Sequence, residues 1–181
     1  MKYKLTDLYK QIKEESTEPE VQQYQIYCDM DGVLCNFDKR FKSLNPEKLS
    51  AAQYQTKYGV EKFWDVIDED NKVKFWVGMS WMPDGKQLWN YIKGYKPYVL
   101  TAPSLDPGSK QGKREWVARE VPGAKNIYFR KAELKPTFSG KNKILIDDRK
   151  DTVDAWTANG GIGIYHTSAT NTINQLKDLG L

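Results

Sequence analysis

One histidine, His166, in 181 residues excludes more chemistry than any other feature of this chain's composition. A Ser-His-Asp triad would have to use that residue, and a His-rich zinc site cannot be built. Two cysteines cannot make a four-cysteine metal cluster. Cys28 and Cys35 stand in an apolar stretch and read as small buried hydrophobes of a reducing compartment, not as a disulfide. Long hydrophobic runs are missing as well. No stretch approaches the roughly 20 apolar residues that span a bilayer, and the Met1-Lys-Tyr-Lys start lacks the apolar core of a signal peptide. The expectation is a soluble, cytoplasmic protein with no membrane partner. Basic residues never gather into a long run, so 28 Lys plus Arg against 24 Asp plus Glu favour anionic partners only weakly. With imidazole and thiol scarce, carboxylates are left to carry any catalysis.

What is present fits one α/β domain with a small insertion. Leu5, Leu8 and Ile12 recur at helical spacing, which predicts an amphipathic first helix followed by a polar linker, together residues 1–22. Tyr24-Gln-Ile-Tyr-Cys28 is β-prone and stops at Asp29-Met-Asp-Gly32. Residues 38–82 change texture to short aromatic-rich helical pieces, where Ser50 and Gln53 have capping-box spacing and Gly59 reads as a helix stop. Beyond residue 83, strand-like runs at 97–101, 126–129, 143–146 and 162–165 alternate with helical ones. Such alternation implies crossovers of one hand and a parallel sheet.

Three strands end in side chains that suit one reaction. The first ends in Asp29 and Asp31, the second in Thr101, and the fourth in Asp147 and Asp148. In a parallel sheet all five share the carboxyl edge, where open α/β folds bind ligands. Two carboxylates from each of two loops repel one another unless a cation sits among them, and Mg2+ prefers oxygen ligands. Taken singly, Asp-x-Asp-Gly is a common turn and Asp-Asp a common helix start. Their joint occurrence, in order and each after an apolar run, points to a site.

Asp29-Met-Asp-Gly-Val-Leu-Cys-Asn-Phe37, Val99-Leu-Thr-Ala-Pro103 and Ile144-Leu-Ile-Asp-Asp-Arg149 resemble motifs I, II and IV of the haloacid dehalogenase (HAD) superfamily of phosphatases. More narrowly, with Lys113-Arg-Glu-Trp-Val117 and the stretch from Trp156 to Ile164, they resemble the 5'(3')-deoxyribonucleotidases over residues 24–166. The resemblance implies a three-layer Rossmann-like core with a parallel sheet, formed by residues 23–37 and 83–181, and a small helical cap at 38–82 inserted after the first strand.

It further implies Asp29 as the nucleophile that forms an aspartyl-phosphate and Asp31 as general acid and base. Mg2+ would be held by Asp29, the Asp31 carbonyl, Asp147 and Asp148. Thr101, the Ala102 amide and a lysine would bind the phosphoryl group, and Lys113 is a further phosphate-contact candidate. Lys131, Lys135 and Lys141 all precede the fourth strand; Lys135 is chosen because Lys-Pro-Thr-Phe-Ser139 is most similar to the family's segment. Ala102 stands where the family often has Ser. Phe37, Trp76 and Trp81 are candidate substrate-pocket residues that could stack on a base, although aromatics at such spacing also build cores. The expected substrate is a small nucleotide, a deoxyribonucleoside monophosphate. Two alternatives stay open: another phosphomonoester such as a 3'-phosphate nucleic-acid end, or a catalytically silent HAD-fold module.

Overall fold

Five short apolar runs become the five strands of one parallel sheet in the computed structural model, which describes residues 24–69 and 72–181. The helix and linker expected at 1–22 lie outside the described residues. In chain order, β1 (Gln25–Cys28) is followed by β2 (Cys35–Asn36), α1 (Phe37–Leu44), α2 (Ala51–Glu69), α3 (Lys72–Val77) and β3 (Ser80–Trp81). Then come α4 (Gly85–Ile92), β4 (Tyr98–Thr101), α5 (Pro107–Glu120), β5 (Asn126–Phe129), β6 (Lys143–Asp147), α6 (Lys150–Ala158), β7 (Ile162–Tyr165) and α7 (Ala169–Asp178).

The sheet order is β5-β4-β1-β6-β7. Every neighbouring pair in it is parallel. The chain leaves β1 toward β4 but leaves β6 toward β7, so the order reverses between β1 and β6. That switch point opens a crevice at the carboxyl edge, between the strands that end in Asp29 and Asp147.

Alternation along the strands divides the core. Ile26, Cys28, Val99, Ile144, Ile146 and Ile164 join one large buried cluster with residues of α4, α5 and α7. Tyr27, Leu100 and Leu145 turn the other way and pack with Trp156 of α6. The result is the expected three-layer α/β arrangement. Phe41, Phe63, Ile67, Phe75 and Trp76 of the inserted helices join the larger cluster too. Cys28 and Cys35 are free and buried, as their apolar setting suggested.

Local signals explain most element starts. Asp106 caps α5 by accepting the Gly108 N–H at 2.7 Å, with Pro107 in the first turn. The capping box forms: the Ser50 N–H donates to Gln53 Oε1 at 2.9 Å and the Gln53 N–H to Ser50 Oγ at 3.2 Å. Gly59 does close that first helical stretch, and Ala51–Glu69 is two helical pieces joined there. Its φ of 85° and ψ of 168° are non-helical, and a second helical piece starts beyond it, where Phe63 and Ile67 are buried in the core. One pairing has no sequence signal, the two-residue antiparallel contact of β2 with β3. It ties the start of the helical insertion to its end.

Candidate active site

Asp29 follows the central strand directly, and its N–H donates to the Ile146 carbonyl at 2.8 Å, which draws it toward β6. Lys135 rises from a 3-10 turn at Ala132–Phe138, the crossover between β5 and β6. Its ammonium lies 2.9 Å from Asp29 Oδ1 and 2.7 Å from Asp147 Oδ2, and all three side chains are buried. Lys131 and Lys141 are exposed, so of the three candidate lysines it is Lys135 that meets the carboxylates. Asp147 is fixed on its other oxygen by the Arg149 N–H at 2.9 Å.

Burial pushes the Asp29 carboxyl up to about 7, with the charges of Asp147 and Asp31 adding to the rise and Lys135 opposing it. Burial and the neighbouring Asp147 push Asp148 up to about 6. For Lys135 burial acts downward, but the carboxylates of Asp29 and Asp147 outweigh it and hold the ammonium above its ordinary value. The buried carboxylates of Asp29 and Asp147 are thus held together by one lysine.

Asp29, Asp147 and Asp148 each present a carboxylate oxygen within 4.8 Å of the others. Asp29 Oδ1 is buried and, despite its nearness to Lys135, receives no aligned hydrogen bond. A three-carboxylate oxygen set with an unsatisfied member fits a hard divalent cation. Gly32 makes the approach possible. Its φ is +78°, and a Cβ there would stand 2.1 Å from Asp148 Oδ2.

The Asp31 carboxylate turns away from that trio. Oδ2 pairs with the ammonium of Lys113 and lies 3.5 Å from Thr101 Oγ1, while Oδ1 is 3.5 Å from Cys35 Sγ. Lys113, on α5, also donates to Thr101 Oγ1 at 2.9 Å and to the Ala102 carbonyl at 2.6 Å. The three protons of its ammonium are therefore matched by three oxygens of the protein itself. The structure places Lys113 beneath the site and not free to face a phosphate, because Lys113 is fully buried.

These groups open into a cavity of about 460 Å³. Asp29, Asp31, Lys135 and Asp148 line it together with Ala102 and Ala132, and Phe37, Ala51, Ala52 and Met82 supply apolar lining. Phe37 thus stands where a substrate-pocket residue was expected. Trp76 and Trp81 do not line the cavity. Trp76 is buried against Phe37, at 5.6 Å between ring centroids, and lies under Lys113. Trp81 packs on Trp116 at 5.1 Å and donates its indole N–H to Glu120 at 2.7 Å. Arg149 is exposed and lines the cavity while pairing with Asp151. His166 is buried and bonded to Thr172 at 2.8 Å, outside the site.

No family model matches the chain, and no curated protein matches it by sequence. Solved structures do match its fold. A hydrolase from Streptococcus pneumoniae TIGR4 superposes with a TM-score of 0.57 at 15% identity, over 86% of this chain and 99% of that one. A HAD-superfamily hydrolase, subfamily IA, variant 1, from Geobacter sulfurreducens PCA does so with 0.54 at 10% identity, over 86% and 97%. The L-2-haloacid dehalogenase from Xanthobacter autotrophicus gives 0.51 at 13% identity, over 76% and 74%. The fold is that of the HAD-type hydrolases, a Rossmann-like α/β fold with its switch point at Asp29. Among the described residues no helix is long and apolar enough to cross a membrane.

Proposed function

We propose that this chain is a Mg2+-dependent phosphomonoester hydrolase acting on deoxyribonucleoside monophosphates through an aspartyl-phosphate. One observation carries the reading: Asp29, buried beside Lys135 in a three-carboxylate cluster, shares a cavity with Asp31 two residues on. An Asp29 carboxylate oxygen attacks phosphorus as the bond to the leaving oxygen breaks. The departing alkoxide takes a proton from Asp31. Asp31 then removes a proton from water, the water oxygen attacks phosphorus, and Asp29 is released with inorganic phosphate.

Mg2+, held by Asp29, Asp147 and Asp148 with the Asp31 carbonyl, would supply charge neutralisation when bound. Lys135 balances the carboxylates and can stabilise the charge gathered on the phosphoryl oxygens, which Thr101 and the Ala102 N–H also address. The haloacid dehalogenase among the fold's neighbours raises a rival chemistry, displacement of halide by the same carboxylate. Halide leaves without a proton, whereas an alkoxide needs one, so a held Asp31 beside the nucleophile favours the phosphoester. The apolar lining of the cavity, with Phe37, suits a sugar and base, and residues 38–82 act as a small cap over it.

Phosphate release from a panel of deoxyribo- and ribonucleoside monophosphates, with Mg2+ and with EDTA, tests the proposal. Deoxyribonucleotide turnover that needs the metal and vanishes in Asp29→Asn supports it; metal-independent or absent turnover, or an active Asp29→Asn, overturns it. A second reading, removal of a 3'-phosphate from nucleic acid, draws on Arg114 and Arg130. Both are exposed, and the Arg130 N–H donates to the Thr101 carbonyl at 3.0 Å, beside the site. Its signature is oligonucleotide turnover that falls steeply with salt.

A further inference from the structure

We infer that Lys113 is a positioning residue for Asp31, set in place by Trp76 of the inserted helix α3, and not a contact for the substrate's phosphate. The inference rests on the phosphatase reading above and assigns a part in it to the helical insertion. Lys113 is fully buried, and its ammonium is shared among Asp31 Oδ2, Thr101 Oγ1 at 2.9 Å and the Ala102 carbonyl at 2.6 Å. An ammonium has three protons to give, so a phosphate oxygen would have to displace one of these partners. The face of the Trp76 ring closes the remaining side, its centroid 5.0 Å from Nζ.

The backbone is built to keep this stack. At Gly112 a Cβ would meet Trp76 Cβ at 2.6 Å and the Val73 carbonyl at 2.6 Å, so α5 and α3 touch backbone to backbone one residue before Lys113. Trp116, one turn on, donates its indole N–H to the Met79 carbonyl at 2.8 Å and fastens α5 to the end of the insertion. Helix α5 is thereby held in rotation and in height. Lys113 then clamps two strand ends at once, the Asp31 turn after β1 and Thr101-Ala102 after β4. The proton donor and the phosphoryl-binding turn are set at a fixed separation by one side chain that the substrate never meets.

The test compares leaving groups. Nitrophenyl phosphate expels a stable phenolate that needs little help from an acid, whereas a deoxyribonucleoside monophosphate expels an alkoxide that needs a proton. Lys113→Met and Lys113→Gln are assayed on both, beside Asp31→Asn, with melting curves to show that each variant is folded. Because Asp31 also serves the later hydrolysis, which is common to both substrates, leaving-group release is read in the first turnover. The expected result is a first-turnover rate on the nucleotide lower by on the order of 100-fold, with inhibition by inorganic phosphate unchanged within about threefold. The loss on nitrophenyl phosphate should stay under about tenfold, and Asp31→Asn should share that selectivity. A raised KM with weakened phosphate inhibition and a retained first-turnover rate would show a phosphate contact and overturn the inference. Equal losses on both substrates would reduce Lys113 to structural support and overturn it as well. A parent protein inactive on both substrates defeats the phosphatase reading itself, whereas an active parent with unselective variants defeats only the role given to Lys113.

Discussion

Lys135 Nζ stands 2.9 Å from Asp29 Oδ1 and uses its other side, at 2.7 Å, for Asp147, so one buried ammonium spans the two central strands of the sheet. Removing it leaves two buried carboxylates facing each other without a cation. Breaking a buried pair from one side costs about 3–5 kcal/mol. Lys135→Met should therefore melt roughly 6–20 °C below the parent at neutral pH and in EDTA. Because the damage is charge repulsion, the gap should narrow as pH falls below about 7, where Asp29 takes up a proton. A gap independent of pH would assign the loss to packing instead.

The raised Asp29 carboxyl has a second consequence for stability. Its folded value, about 7, lies above the ordinary 3.8 of the unfolded chain, so the folded protein binds the extra proton between those values. Stability attributable to Asp29 is thus greatest at low pH and falls as pH rises through that window, at up to about 1.4 kcal/mol per unit. Asp148, raised to about 6, acts in the same direction. Lys135 is raised from an already high value, so its contribution is lost only above the unfolded range. Metal-free protein should melt higher at pH 5.5 than at pH 8. Added Mg2+ should raise the melting temperature at pH 8 and do little at pH 5.5; calorimetry in EDTA and in Mg2+ reads both, and an Mg2+ effect equal at the two pH values would contradict the carboxylate origin.

Gly32 offers a local test of the same cluster. At φ +78° an alanine is strained, and its Cβ would fall 2.1 Å from Asp148 Oδ2, so the turn or the carboxylate has to move. Gly32→Ala should lose about 1–3 kcal/mol of stability. Its Mg2+-dependent rise in melting temperature should shrink by more than half. An unchanged metal response would mean that Asp148 takes no part in holding the ion.

How much of this was legible in the sequence follows from how local each signal is. Asp29, Asp31, Thr101, Asp147 and Asp148 each sit one to three residues past an apolar run, so strand patterning alone carries them to one sheet edge. Lys135 needed only a segment resemblance. Lys113 was legible as a candidate residue of the site but its contacts were not, since its partners Asp31 and Thr101 come from two other elements. The insertion was readable as helical, yet Trp76 and Trp81 were misplaced because aromatic spacing does not say which neighbour an indole meets. Trp76 meets Lys113 and Trp81 meets Glu120, contacts between residues 37 and 39 positions apart in the chain. The β2–β3 pairing, two residues on each side, is too short to leave a pattern.

The contrast between Phe37 and Trp81 tests whether the apolar lining of the cavity reads the substrate. Phe37 lines the cavity, and its ring also packs against Phe41, Phe63, Phe75 and Trp76. Phe37→Leu keeps a hydrophobic side chain there but removes the flat face on which a base could stack. It should raise KM for deoxyribonucleoside monophosphates by about 5–20-fold, the equivalent of about 1–2 kcal/mol. KM for a small alkyl phosphate without a base should stay within about twofold, since the phosphoryl contacts proposed at Thr101, Ala102 and Lys135 are untouched. Trp81→Phe should leave both KM values alone and lower only stability, by about 1–3 kcal/mol, through the lost bond to Glu120 and the smaller contact with Trp116. If Phe37→Leu weakens both substrates equally, the cavity's apolar lining serves the fold and the base is bound elsewhere. If Trp81→Phe raises KM for the nucleotide, the pocket extends past Met82 toward the β2–β3 pair.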